Sequence, residues 1–265
     1  MEPLLKEAAL LNKKAAFRKE KGLFVAEGLN LCEEAPPERI RALFYTDAFA
    51  AEHPAFFRER AGMRAAGVPF LRVPENDFLR ASDTRTPQGV MALVSCFRYD
   101  ADQLLCRENG LFLILETLQD PGNLGTILRS AEAAGVTAVF IGAGSADIYN
   151  PKTVRATMGA LFRVPFIENV CVPDVVRMLG ARGIKTCAAA LQGSVPYDSV
   201  DYTGPSAFLI GNESAGLTEE SIALSDQAVR IPMQGKVESL NAGVAAALLV
   251  FEAERQRRAE RAPGN

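Results

Sequence analysis

The segment Leu111–Glu116 (LFLILE) constrains this chain most. An unbroken apolar run of this length leaves neither face of a strand to water, so a strand here is covered on both sides. Ala138–Ile141, Ile184–Ala188 and Ala207–Ile210 share its character. Between them, helical patterns fall at about 123–134, 151–160 and 173–182, and a long one runs from Ser239 to about Arg258. Strands buried on both faces and alternating with helices predict an α/β fold with a mostly parallel sheet.

The first hundred residues carry a second, weaker alternation. Leu23–Ala26, Ala42–Tyr45, Pro69–Val73 and Val90–Cys96 have strand character, and 4–20, 54–66 and 74–81 have helical character. The polar stretch FRYDADQLLCRENG closes on Asn-Gly, a turn signal, and separates the two patterns. The expected organisation is a smaller α/β domain over 1–98 and a larger one over 108–260. With 48 % hydrophobic residues in 265, each can bury its own core.

Composition excludes several classes. No apolar run is long enough for a bilayer, and MEPLLKEAALLNKKAAF lacks the order of a secretory signal, so a cytoplasmic location is expected. Cys32, Cys96, Cys106, Cys171 and Cys187 form no C-x-x-C pair and are expected as free thiols, with no metal site. His53, the only histidine, precedes Pro54 and suits a surface or capping position better than catalysis. No G-x-G-x-x-G follows a strand, which argues against a nicotinamide dehydrogenase. The net charge of −3 speaks against a dedicated nucleic-acid binder. Residues 1–21 nevertheless hold Lys6, Lys13, Lys14, Arg18, Lys19 and Lys21 against Glu2, Glu7 and Glu20. That excess suits a phosphate-binding face and a solvated helix face equally.

The informative residues sit where strands of the larger domain end, which is where open α/β sheets bind ligands. In LETLQDPGNLGTILR the strand stops at Glu116, Asn123 stands at an expected helix cap, and Arg129 follows on that helix. In FLIGNESAGLTEE, Gly211 and Gly216 flank Asn212 and Glu213, and a new helix begins near Thr218. In IPMQGKVESLNAGVAAALL, Ile231 ends a short strand, Gly235 permits a loop, and Ser239 and Asn241 open a helix whose face is small through Ala242, Gly243, Ala245, Ala246 and Ala247. Each junction alone reads equally well as an ordinary turn with a helix cap.

In this order and spacing the junctions resemble the three signature motifs of the SpoU (TrmH-like) branch of the SPOUT RNA methyltransferases. The matching pieces are GNLGTILR, IGNESAGL and IPMQGKVESLNAGVAAALLVFEA, and NPKTVRATMGALFRVPF is similar to the family's intermediate segment. The resemblance spans about 108–258. More loosely, FRKEKGLFVAEGLNLCEEA (17–35) resembles the RNA substrate-binding domain of some members, which is similar to a small ribosomal-protein fold.

The resemblance implies a C-terminal sheet with a deep trefoil knot, S-adenosyl-L-methionine as cofactor, and a homodimer. Its function would be methylation of a ribose 2′-hydroxyl in structured RNA, with 23S rRNA favoured over tRNA. It places the cofactor contacts on Gly211, Asn212, Ile231 and Leu240. It gives Arg129 the central catalytic role, supported by Asn123, Glu213, Ser239 and Asn241. That arginine acts either as general base or by binding phosphate and stabilising charge on the ribose oxygen. A guanidinium keeps its proton in proteins, which favours the second role. Arg18, Lys19 and Lys21 are the expected RNA contacts. A catalytically inactive RNA-binding scaffold is the alternative. Gly243 departs from the serine or alanine common in the third motif, which bears on helix packing.

Overall fold

The computed structural model describes residues 2–237 and 239–261. In chain order, the first part holds α1 (Pro3–Lys13), α2 (Ala15–Lys21), β1 (Leu23–Glu27), α3 (Leu29–Glu34), β2 (Ile40–Tyr45), α4 (Asp47–Glu52), α5 (Pro54–Glu59), α6 (Ala61–Ala65), β3 (Phe70–Arg72), α7 (Glu75–Ala81) and β4 (Val90–Ser95). Then come α8 (Ala101–Leu105), β5 (Leu111–Leu115), α9 (Pro121–Ala133), β6 (Ala138–Gly142) and α10 (Pro151–Ala156). The remainder is β7 (Phe166–Val170), α11 (Val172–Gly180), β8 (Lys185–Ala189), β9 (Val195–Pro196), β10 (Ser206–Ile210), α12 (Glu219–Leu224), β11 (Gln227–Arg230) and α13 (Ala242–Arg261).

These elements form two compact units. One comprises Met1–Phe97 together with Asp147–Phe162, and the other Arg98–Ala146 with Arg163–Asn265. The segment 147–162, which the sequence pattern gives to the larger domain, packs with the first unit.

The first unit has a four-stranded sheet in the order β1-β4-β2-β3. β4 pairs antiparallel with β1 and β2, and β2 pairs parallel with β3. Leu5, Leu11, Val25, Phe44, Phe78 and Met91 belong to its core. The single helix expected over 4–20 is two, because Lys14 takes an extended backbone between α1 and α2. Arg18 requires a correction: it is 4 % exposed, where an RNA contact was expected. Its guanidinium donates to the Leu11 carbonyl and to the Asp147 carboxylate (Nε to Oδ2 2.9 Å), so it joins α1 to the 147–162 segment. Lys19 and Lys21 are exposed. His53 sits at the joint between α4 and α5, its ring 4.7 Å from that of Phe49.

The second unit has a seven-stranded sheet in the order β7-β6-β5-β10-β8-β11-β9, with every pairing parallel. β5, β6 and β10 are buried at every residue, as their apolar runs require. Phe112, Ile114, Phe140, Val176, Leu179 and Leu209 form part of the core. The strand order is unusual at one edge. β11 lies between β8 and β9, although those two strands follow one another with residues 190–194 alone between them.

α13 is anchored to the sheet by Arg257, a buried cation. Its guanidinium donates to the carbonyls of Tyr202 (2.9 Å), Asn109 (3.0 Å), Gly204 (2.7 Å) and Gly110 (3.3 Å). These carbonyls belong to the loops that lead into β5 and β10, so one side chain ties the last helix to two central strands. Removing it leaves several carbonyls without a donor where water is scarce. Arg257→Ala is expected to lower unfolding free energy by about 3 kcal/mol, read from the shift of the urea midpoint. A loss below about 0.5 kcal/mol, the range of surface changes, would show that the anchor is not needed.

Candidate active site

β5 and β10 are neighbours in register, with Leu115 beside Ile210, and the Glu116 amide donates to the Ile210 carbonyl at 2.8 Å. The first two junctions of the sequence therefore emerge side by side. Glu116 is buried and accepts from the Thr218 amide (2.8 Å), the Thr218 hydroxyl (2.9 Å) and the Ser221 hydroxyl (2.7 Å), which fixes the start of α12. Thr117 turns the chain with φ +50°, a left-handed conformation that costs energy for a threonine. Its carbonyl accepts from Asn212 Nδ2 at 2.8 Å.

The turn 211–216 is closed on itself. Asn212 Oδ1 accepts from the amides of Ser214 and Ala215, and Asn212 and Gly216 exchange backbone hydrogen bonds. At Gly211 a Cβ would lie 2.2 Å from the Gly216 carbonyl carbon, so only glycine allows this closure.

α9 is capped three residues earlier than the sequence pattern suggests. Asp120 is its cap, accepting from the Asn123 amide at 2.8 Å, and Pro121 takes the first helical position. Asn123 is thereby inside the first turn and free to use its side chain elsewhere. Its Nδ2 donates to Glu213 Oε1 at 2.9 Å, and its Oδ1 accepts from Asn241 Nδ2 at 2.9 Å. Asn241 also caps α13 through its Oδ1, which accepts from the Gly243 and Val244 amides. One chain of side chains, Glu213–Asn123–Asn241, thus joins all three junctions. Gly243 lies close to Thr126 of α9, whose Cγ2 would be 3.2 Å from an added Cβ, so the glycine fits the tight approach of α13 to α9.

Glu213 accepts further bonds from the Gln119 and Asp120 amides, both 3.1 Å. Desolvation pushes its carboxyl up, but the bonds from the Asn123 side chain and the two amides outweigh it and hold the group below its usual range. It is an ionised orienting group, poorly suited to accept a proton.

Beside this network lies a cavity of about 470 Å³, within the size range of small-ligand sites. Gly211, Asn212, Ile231 and Leu240 all border it, as do Glu213 and Ser239. Arg129 is exposed on α9 and has no hydrogen-bond or ion-pair partner among the described residues. The structure thus brings Asn123, Glu213 and Asn241 into one network and the four expected cofactor residues to one cavity, and it leaves Arg129 outside both. Among the described residues, no group of acidic, histidine or cysteine side chains is placed to hold a metal.

A family model described as the SpoU rRNA methylase family matches residues 110–251, more than half of the chain. The chain belongs to the SpoU rRNA methylase family. A second model, the MRM3-like substrate binding domain, matches residues 2–92. The 23S rRNA (guanosine(2553)-2′-O)-methyltransferase RlmP of Bacillus subtilis (strain 168) is 33 % identical over 90 % of this chain and 92 % of its own length. The tRNA (guanosine(18)-2′-O)-methyltransferase of Thermus thermophilus is 38 % identical over 57 % of this chain and 77 % of its own. The SpoU methyltransferase AviRb of Streptomyces viridochromogenes, solved in complex with the cofactor AdoMet, superposes with a TM-score of 0.86 at 29 % identity, covering 97 % of this chain and 99 % of that one.

In this SpoU chain, sequence reasoning missed one wall of the cavity. Ala189–Gln192, at and just after the end of β8, border it. Nothing in Ala-Ala-Leu-Gln announces a ligand, and only the position of β8 beside β10 reveals it.

The carboxyl of Glu213 sets an acid limit. Its folded pKa lies below its unfolded one, so its stabilising effect is complete above the ordinary glutamate value of 4.5 and is lost as pH falls through the lower folded value. The melting-temperature gap between wild type and Glu213→Gln is expected to be steady at neutral pH and to close below that value. A gap of unchanged size at pH about 3 would mean that the ionised carboxylate is not what stabilises the network.

Proposed function

We propose that this chain methylates a ribose 2′-hydroxyl of large-subunit ribosomal RNA through the Glu213–Asn123–Asn241 site. As a SpoU family member it is an RNA 2′-O-methyltransferase with S-adenosylmethionine as cofactor. The observation that carries the site assignment is the hydrogen-bonded chain joining the three strand-end motifs at the rim of one cavity.

The cavity suits the cofactor by its chemistry: apolar side chains such as Ile210, Leu217 and Ile231 for a base, and polar ones such as Asn212, Glu213 and Ser239 for the charged end. Gly211, Asn212, Ile231 and Leu240 would hold it. When bound, it supplies a methyl group on a sulfonium, whose departure as a neutral thioether requires no acid. The chain's own part is alignment and charge. Glu213, Asn123 and Asn241 hold the three loops in fixed relation, and a fixed attack geometry supplies much of an enzyme's acceleration. Arg129, exposed and unpaired among the described residues, can bind a phosphate of the RNA and stabilise negative charge on the ribose oxygen as the hydroxyl proton passes to water. Ser239 borders the same rim.

Large-subunit rRNA is favoured over tRNA because RlmP, a relative that matches over 90 % of this chain, is named for 23S rRNA, whereas the tRNA enzyme matches over 57 % of it. The first unit is the substrate-binding domain, with Lys19 and Lys21 as exposed cations for phosphate. The expected place of action follows the substrate and is the cytoplasm. The position of β11 between β8 and β9, two strands joined by only five residues, supports a deep trefoil knot.

A homodimer is supported by α13. Val244, Leu248 and Phe251, at helical spacing, are 48, 38 and 46 % exposed and form one apolar stripe. Phe251→Asp is expected to turn a dimer into a monomer in analytical ultracentrifugation. A dimer that persists in that variant would place the interface elsewhere.

The central test is Arg129→Ala. It is expected to keep its melting temperature and its affinity for S-adenosylmethionine, and to lose methyl transfer to rRNA about a hundredfold or more. Full activity in this variant would remove Arg129 from the mechanism.

A further inference from the structure

Resting on the reading of the cavity as the cofactor site, we propose that Leu191 is the side chain that grips the nucleoside base there, and that Arg230 is its positioning residue. Leu191 is 62 % exposed, among the most exposed large apolar side chains of the chain, yet it borders the cavity. Ile210, Leu217, Ile231 and Leu240 line the same space. A leucine held in water beside an apolar cavity gains by covering an apolar occupant. Of the parts of S-adenosylmethionine, the flat base is the apolar one, and the amino acid end is charged.

The turn that carries Leu191 is tied down. The Ser194 hydroxyl donates to the Leu191 carbonyl at 2.7 Å, and Gly193 takes φ +67° to make the bend. An Arg230 guanidinium nitrogen donates to the Ser194 carbonyl. Immediately afterwards Val195 pairs with Val229 and Pro196 with Arg230. Arg230 pairs with no carboxylate among the described residues, so its guanidinium is available to clamp this bridge. The strand that the bridge crosses therefore also sets the bridge's height, and with it the position of Leu191 over the cavity.

The test is calorimetric titration of the full chain with S-adenosylmethionine, S-adenosylhomocysteine and adenosine, alongside steady-state kinetics on rRNA. Leu191→Ala is expected to raise Kd for all three ligands by about tenfold, the loss of one apolar contact. KM for the cofactor rises in step, kcat is unchanged, and the melting temperature of the free protein stays that of wild type. Arg230→Ala is expected to move Kd and KM in the same direction with kcat unchanged. Arg230→Lys recovers most of the loss, because an ammonium can still donate to the Ser194 carbonyl. Wild-type binding of S-adenosylmethionine together with unaltered binding by Leu191→Ala overturns this inference and leaves the methyltransferase reading intact. Weaker cofactor binding with unchanged adenosine binding also overturns it, since the contact would then lie off the base. Failure of the wild type to bind S-adenosylmethionine overturns both.

Discussion

The parallel pairing of β5 with β10 is the interaction on which the site depends. Both strands are buried at every residue, so a slip in register would exchange side chains between two close-packed faces and disturb both. Held in register to the bond between the Glu116 amide and the Ile210 carbonyl, the two strands end at the same level. Their turns then lie within reach of each other. Glu116 secures the second turn from the first strand, and Glu213 secures the first turn from the second strand. Two carboxylates, each crossing to the other junction, make the pair of turns a single rigid unit.

The buried strands were legible because burial on both faces demands an unbroken apolar run. Leu111–Glu116, Ala138–Ile141 and Ala207–Ile210 match β5, β6 and β10 to within a residue. Edge strands were not: Phe166–Val170 mixes Glu168 and Asn169 with apolar residues and gives no clear signal, yet it forms β7. Helix ends depended on local competition. Asp-Pro-Gly-Asn offers two capping residues, and proline's fitness for the first helical position selects Asp120. That choice releases the Asn123 side chain for the network, a consequence no local pattern states. Arg18 was misread for a different reason. A basic residue among lysines has the look of a surface cation, and only the return of Asp147 from far along the chain buries it.

The bridge 190–194 shows where sequence reading stops altogether. Leu-Gln-Gly-Ser is ordinary loop composition, and its importance arises from tertiary order. β11 enters between two strands already joined, so the bridge has a strand on one side and the cavity on the other. A short bridge cannot open far without breaking the β9–β11 pairing. The wall it makes is therefore stiffer than a surface loop of the same sequence would be.

This stiffness bears on the chemistry. Glu213 accepts three hydrogen bonds that hold its carboxyl below its usual range, so it is not poised to take a proton. The only histidine is in the first unit, at a helix joint. Under the proposed function, then, these groups do not raise the nucleophilicity of the 2′-hydroxyl by general base catalysis. What the site does supply is fixed geometry, from loops locked by buried strands, and on the neighbouring helix a cation unpaired among the described residues. A cation beside the ribose lowers the pKa of the 2′-hydroxyl, so its proton passes to water as the oxygen attacks the methyl carbon, and the negative charge left on the oxygen is what needs stabilising. Arg129, which has no ion-pair partner among the described residues, meets that need.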